Sequence, residues 1–237
     1  MENPSLWPRC VRSGVLCHGG HRLAWRWCGA AQPRQTWLVL HGGPGGQCAP
    51  SMLAPFDLSQ DAVVLLDQRG CGASRPRSPG HGLGVWAMVQ DLERLRVALG
   101  VAQWAVLGGS WGAWLAVAYA QSHPQCVARL VLRGAFLFSR ADMRRVFAPM
   151  PAWAAGSPRA AVPRFLSMQQ LGALFQTAQQ VFQNGATHGR ARAWAQAWWD
   201  SELVALSQRQ QRPHAQTPSV PVVRAWVHKY GVQARVL

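Results

Sequence analysis

Apolar and polar positions along the chain fall into two periodicities. His21-Arg22-Leu23-Ala24-Trp25-Arg26-Trp27 alternates polar and apolar residues, as a strand with one buried face does. Gly19-Gly20 just before it is a hairpin-turn signal. Trp37-Leu38-Val39-Leu40, Val63-Val64-Leu65-Leu66 and Trp104-Ala105-Val106-Leu107 are apolar throughout. Such short continuous runs suit strands covered on both faces. Leu130-Val131-Leu132 is a further strand, expected to be an uncovered edge of the sheet. Between these runs the period changes. Val85, Met88, Val89, Leu92, Leu95 and Leu99 recur at helical spacing, and Gly100 sits where a helix stop belongs. Ala113 to Gln121 is a small-residue helix, halted before Pro124. Strands alternating with helices imply a mostly parallel α/β sheet with helices on both faces.

After Phe138 the character changes. Residues 139–216 are rich in Ala, Gln, Arg and Trp, with helical patterns at Met168 to Phe182 and Arg190 to Leu206. A helical insert over one end of a sheet is a common place for a lid. The expected organisation is a core over 1–138 and an incomplete helical cap over 139–237. Arg209 to Pro221 is polar and proline-marked, and reads as a loop.

Composition narrows the class. Of 237 residues, 49% are hydrophobic and 14% charged, a globular balance rather than a disordered one. No apolar run approaches the ~18 residues of a membrane helix, so no membrane partner is expected. Met1 to Arg12 lacks the apolar centre of a secretion signal, and the expected location is cytoplasmic. The formal charge of +15 raises the question of nucleic acid. Nearly all of it is scattered arginine, Lys229 being the single lysine, and no recognised binding motif accompanies it. A dispersed solvated surface is the expected reading, with no nucleic-acid partner. Cys10, Cys17, Cys28, Cys48, Cys71 and Cys126 form no C-x-x-C pair. They are expected to be reduced, small hydrophobes, with no metal bound, rather than a metal or disulfide cluster at Cys10, Cys17 and Cys28.

The chemistry concentrates in loops that follow strands. Gly108-Gly109-Ser110-Trp111-Gly112 joins a strand to a helix, the pattern of a nucleophile elbow. That turn is tight enough to require near-absent side chains beside the serine. Ser110 is the expected nucleophile. His41-Gly42-Gly43-Pro44-Gly45-Gly46 follows the strand ending at Leu40, and its glycines let backbone N–H groups turn inward. Acyl transfer needs donors where a tetrahedral oxyanion forms. The backbone N–H groups of Gly43 and Trp111 are the expected pair. Asp67-Gln68-Arg69-Gly70-Cys71-Gly72-Ala73-Ser74 follows the next strand. Asp67 reads as the clasp of a glycine turn rather than a catalytic acid. His41 reads as a loop-fixing partner rather than a base.

These segments resemble the signature segments of proline iminopeptidases, of the α/β-hydrolase fold. Gly20-His21-Arg22-Leu23, Asp91 to Arg96, Ala118 to Pro124 and Leu130 to Gly134 are similar to that family too. The resemblance is dense over residues 19–138 and looser beyond. It implies a serine aminopeptidase that releases N-terminal proline from peptides through an acyl-enzyme at Ser110, with no metal or cofactor. It also implies cap carboxylates that bind the substrate's imino nitrogen. Asp200, in Trp198-Trp199-Asp200, stands where the family has a Trp-Glu pair; Glu202 is the neighbouring alternative. Both could equally be solvated acids on a cap helix packed through its tryptophans.

One part of the expected machinery is not found. In this fold the acid and then the histidine follow the serine along the chain. His123, His188, His214 and His228 follow Ser110, yet none comes after a strand that ends in an acid. The catalytic acid and histidine are therefore expected to be absent, together with the last strands, as in a C-terminally truncated product. Impaired hydrolysis follows. Other small-molecule hydrolysis, such as esterase or lactonase chemistry, and a non-catalytic remnant remain open on the same fold.

Overall fold

The computed structural model describes residues 7–43, 46–77 and 82–137, together with Ser139 and Asp142. Chain contacts divide the protein into Met1–Leu137 and Phe138–Leu237. The expected cap helices lie outside the described residues.

The described unit opens with a hairpin, β1 (Cys10–His18) and β2 (His21–Gly29). Gly19 and Gly20 make its turn with φ of 55° and 77°, the pair of positive angles a two-residue hairpin turn needs. The register runs from His18↔His21 out to Cys10↔Cys28. Three buried strands follow as the apolar runs predict: β3 (Thr36–Leu40), β4 (Ala62–Leu66) and β5 (Trp104–Gly109). Every residue of β4 is buried. The sheet ends in β6 (Val127–Arg133).

The sheet order is β1-β2-β4-β3-β5-β6. β4, β3, β5 and β6 run parallel to one another, and the hairpin adds antiparallel strands beside β4. This is the mostly parallel α/β sheet that the alternation of runs implies. Its parallel strands need crossovers, supplied in part by α1 (Val85–Ala98) and α2 (Trp111–Ser122). α1 stops at Gly100, whose φ is 68°. The helices meet where the Tyr119 hydroxyl of α2 donates to Glu93 Oε2 of α1 at 2.8 Å. No helix among the described residues is long and apolar enough to cross a membrane.

Two departures from the simple pattern have physical causes. Alternation in β2 would turn Arg26 toward water, yet it is buried. Its guanidinium lies 4.4 Å from the Trp7 ring centroid and 3.5 Å from Asp67 Oδ2, so stacking and charge compensate the desolvation. β6 differs from the buried apolar strands, as expected of an uncovered edge. It is apolar, but Leu130, Val131 and Leu132 remain about two-fifths exposed. Among the described residues it is the last strand of the sheet, so there one edge has no strand neighbour.

Candidate active site

β5 delivers the chain to Ser110, and α2 begins at the next residue. Ser110 has φ 54° and ψ −118°, a conformation that residues with side chains rarely adopt. Such strain costs about 1–3 kcal/mol and persists only where surroundings enforce it. Here they do. The Ser110 N–H donates to the Arg133 carbonyl of β6 at 3.0 Å, and its carbonyl accepts from the Ala113 N–H at 2.9 Å. The flanking glycines are demanded by space. A Cβ on Gly108 would lie 2.2 Å from the Gly112 carbonyl oxygen, and one on Gly112 would lie 2.3 Å from that of Leu40. Ser110 itself is exposed at the head of α2.

The His41 loop leaves β3 beside this turn. A Cβ on Gly42 would stand 3.5 Å from the Ser110 Cβ, so the bare glycine keeps the wall beside the serine open. Gly43 follows with φ 134°. His41 holds the loop through both ring nitrogens. Nε2 accepts from the Gln68 N–H at 3.1 Å, and Nδ1 donates to the Gly42 carbonyl at 2.8 Å. These partners require the neutral ring with its proton on Nδ1. Gln68 extends the network. Its side-chain amide donates to the His41 carbonyl at 2.9 Å, and its Oε1 accepts from Trp111 Nε1 at 2.9 Å. Three strand-ending loops are thereby joined around the serine.

Asp67 clasps its own turn. Oδ1 accepts from the Cys48 N–H at 2.8 Å and Oδ2 from the Ala73 N–H at 3.0 Å. His41, Cys48 and Asp67 bring potential metal-ligand atoms within 4.8 Å of one another. Their chemistry fits a metal poorly. The histidine nitrogens and both Asp67 oxygens already serve protein partners. Burial and the Asp67 charge push the Cys48 thiol well up, away from the thiolate a metal needs. Beneath this turn Arg69 grips Asp91 in a buried two-point pair at 2.6 and 2.7 Å.

Of the expected site residues, Ser110, Gly43 and Trp111 are described. Ser110 and Trp111 share the turn into α2, and Gly42 carries the loop of Gly43 against Ser110. Asp200, Glu202, His188, His214 and His228 lie outside the described residues. His123 caps the far end of α2 and packs on Tyr119, ring centroids 5.2 Å apart. A helix of that length spans about 18 Å, too far for it to serve Ser110. Gln68 is the residue the sequence reading missed. Its one signal was a polar amide two residues after the end of a wholly apolar strand.

The residues described so far define a class. The family description "alpha/beta hydrolase fold" matches residues 37–183, and the chain belongs to that family. Its sequence relatives are more particular. It is 45% identical over 131 residues to a proline iminopeptidase of Xylella fastidiosa, a match covering 55% of this chain and 42% of that protein. It is 47% identical over 100 residues to that of Neisseria meningitidis, covering 42% and 32% respectively. The chain thus spans about two-fifths or less of these relatives' length. Among solved structures it is similar to a proline iminopeptidase-related protein from Thermus thermophilus. There the TM-score is 0.53 at 23% identity, covering 83% of this chain and 71% of that one. That likeness concerns the fold.

Proposed function

We propose that Ser110 is the nucleophile of a hydrolase that acts on peptides with a free N-terminal proline. The observation that carries this is the enforced positive φ of an exposed serine at a helix start, walled by a bare glycine loop. Strain of that kind at a reactive side chain points to function, because folding alone gains nothing from it. Ser110 Oγ attacks the proline carbonyl. The N–H groups of Gly43 and Trp111 receive the developing oxyanion, aided by the positive end of α2. The leaving amine departs, and water later hydrolyses the prolyl ester. Asp200 or Glu202 holds the cationic imino group, since a cation leaving water needs an anionic partner.

The hydroxyl proton needs an acceptor, and none of the described histidines around the turn is placed for it. The His41 ring is engaged at both nitrogens, and His123 lies at the wrong end of α2. Acylation and deacylation both depend on such an acceptor. An activated prolyl aryl ester, whose leaving group needs no proton, separates these steps. A prolyl adduct is expected to accumulate on the Ser110 peptide by mass spectrometry, and to be absent in Ser110→Ala. An alanyl ester should label more weakly. Label elsewhere only, in folded protein, removes the nucleophile assignment.

A further inference from the structure

The sequence reading treats the cysteines as isolated small hydrophobes, but the hairpin brings two together. Cys10 and Cys28 are direct partners across β1 and β2. Opposed residues of an antiparallel pair have Cα atoms about 4.5–5.5 Å apart and project to the same face. A disulfide bridges Cα atoms about 4.4–6.8 Å apart. The strand ends are fastened just beyond the pair, where the Gly29 N–H donates to the Arg9 carbonyl at 2.8 Å. On the other side the register shifts between Cys10 and Arg12, and such a bulge lets a strand bend locally. Burial divides the two sulfurs. Cys28 is wholly enclosed in a cluster with Trp7, Val39, Val63 and Leu65, whereas Cys10 packs on that cluster and is partly exposed.

We propose that Cys10 and Cys28 are a redox-responsive pair that closes into a cross-strand disulfide on meeting a low-molecular-weight disulfide such as oxidised glutathione. The Cys10 thiolate attacks one sulfur of the oxidant. The oxidant's S–S bond breaks, one thiol leaves, and a mixed disulfide remains on Cys10. Cys28 then gives up its proton and attacks the Cys10 sulfur, expelling the second thiol. Two cysteines lose two electrons, the oxidant becomes two thiols, and the two protein S–H protons end on them. Burial pushes the Cys28 thiol up to about 12, and the charge and hydrogen bond of Cys10 beside it push the same way. The second step is thus the slow one, and it accelerates with rising pH. Cys17 provides an internal control. It is exposed and faces Arg22 across the hairpin, so its adduct has no thiol opposite to resolve it.

The test uses the full folded chain with oxidised glutathione, followed by non-reducing peptide mapping. A peptide linking Cys10 to Cys28 is expected, forming about tenfold faster per pH unit between neutral and mildly alkaline buffer. Glutathione should stay on Cys17. Cys28→Ser should stop at glutathione on Cys10, and the wild-type map stands by itself should that variant fold poorly. Glutathione persisting on Cys10 of the wild type, a Cys28–Cys48 link instead, or a Cys10–Cys28 link formed only in urea would each overturn the proposal.

Discussion

At position 109 a methyl group would find only the Arg133 carbonyl oxygen, 3.9 Å away, while at 108 and 112 it would strike backbone at 2.2 and 2.3 Å. The three glycines around Ser110 therefore differ in kind. Gly108→Ala and Gly112→Ala are each expected to cost about 1–3 kcal/mol through overpacking against backbone that has no room to move. Gly109→Ala should stay within about 0.5 kcal/mol of the parent. Urea denaturation midpoints of the three variants check this, and equal losses at all three positions would contradict it. Ser110 was legible in the sequence because its demand on its neighbours is local: two of those glycines are the ones space requires. Gln68 was not legible. Its role depends on three loops, far apart in sequence, meeting at one point, and periodicity carries no information about that meeting. His41 was legible in kind only; that both its ring nitrogens are occupied emerges from the packing of the Gln68 backbone against it.

Among the elements, the contact between α1 and α2 shows how one carboxylate ties several segments. Arg96 donates to both Glu93 oxygens, at 2.9 and 2.6 Å, and also to the Val101 carbonyl at 2.5 Å, while Tyr119 donates to Glu93. The Arg96 hydrogen bonds, and secondarily that of Tyr119, hold the Glu93 carboxyl below its usual range. The sign of the linkage follows. The folded pKa is depressed, so the stabilisation is full above the unfolded value near 4.3 and is lost as pH falls through the lower folded value. Because the pair is only partly buried, the effect is about 1 kcal/mol or less. Glu93→Gln should flatten the stability–pH curve below about pH 4.5 and leave its neutral-pH slope unchanged. An unaltered acid limb would remove this role. Strand identity was readable from the wholly apolar runs, because burial on both faces leaves a one-dimensional mark. β1 was signalled only by the turn after it. Its own burial alternates weakly, and its bulge between Cys10 and Arg12 interrupts the period.

For the molecule as a whole, two opposing properties decide how copies meet. The net charge of +15 repels other copies. Against it stands β6, the last strand of the sheet among the described residues, with Leu130, Val131 and Leu132 about two-fifths exposed. An apolar edge strand is a template for pairing with another chain. The charge acts over a Debye length, which shrinks from about 30 Å at 0.01 M salt to about 3 Å at 1 M, whereas strand pairing and apolar contact do not depend on that length. Salt should therefore promote association here. Sedimentation velocity is expected to show mostly monomer at about 0.01 M salt and larger species at about 0.5 M. Val131→Lys should suppress those species, since a charge on an edge strand disfavours pairing, without lowering the urea midpoint by more than about 0.5 kcal/mol equivalent at an exposed position. Association that weakens with salt would mean that charge drives it. Association untouched by Val131→Lys would mean that another surface carries it, and either outcome would displace β6 as the site where copies meet.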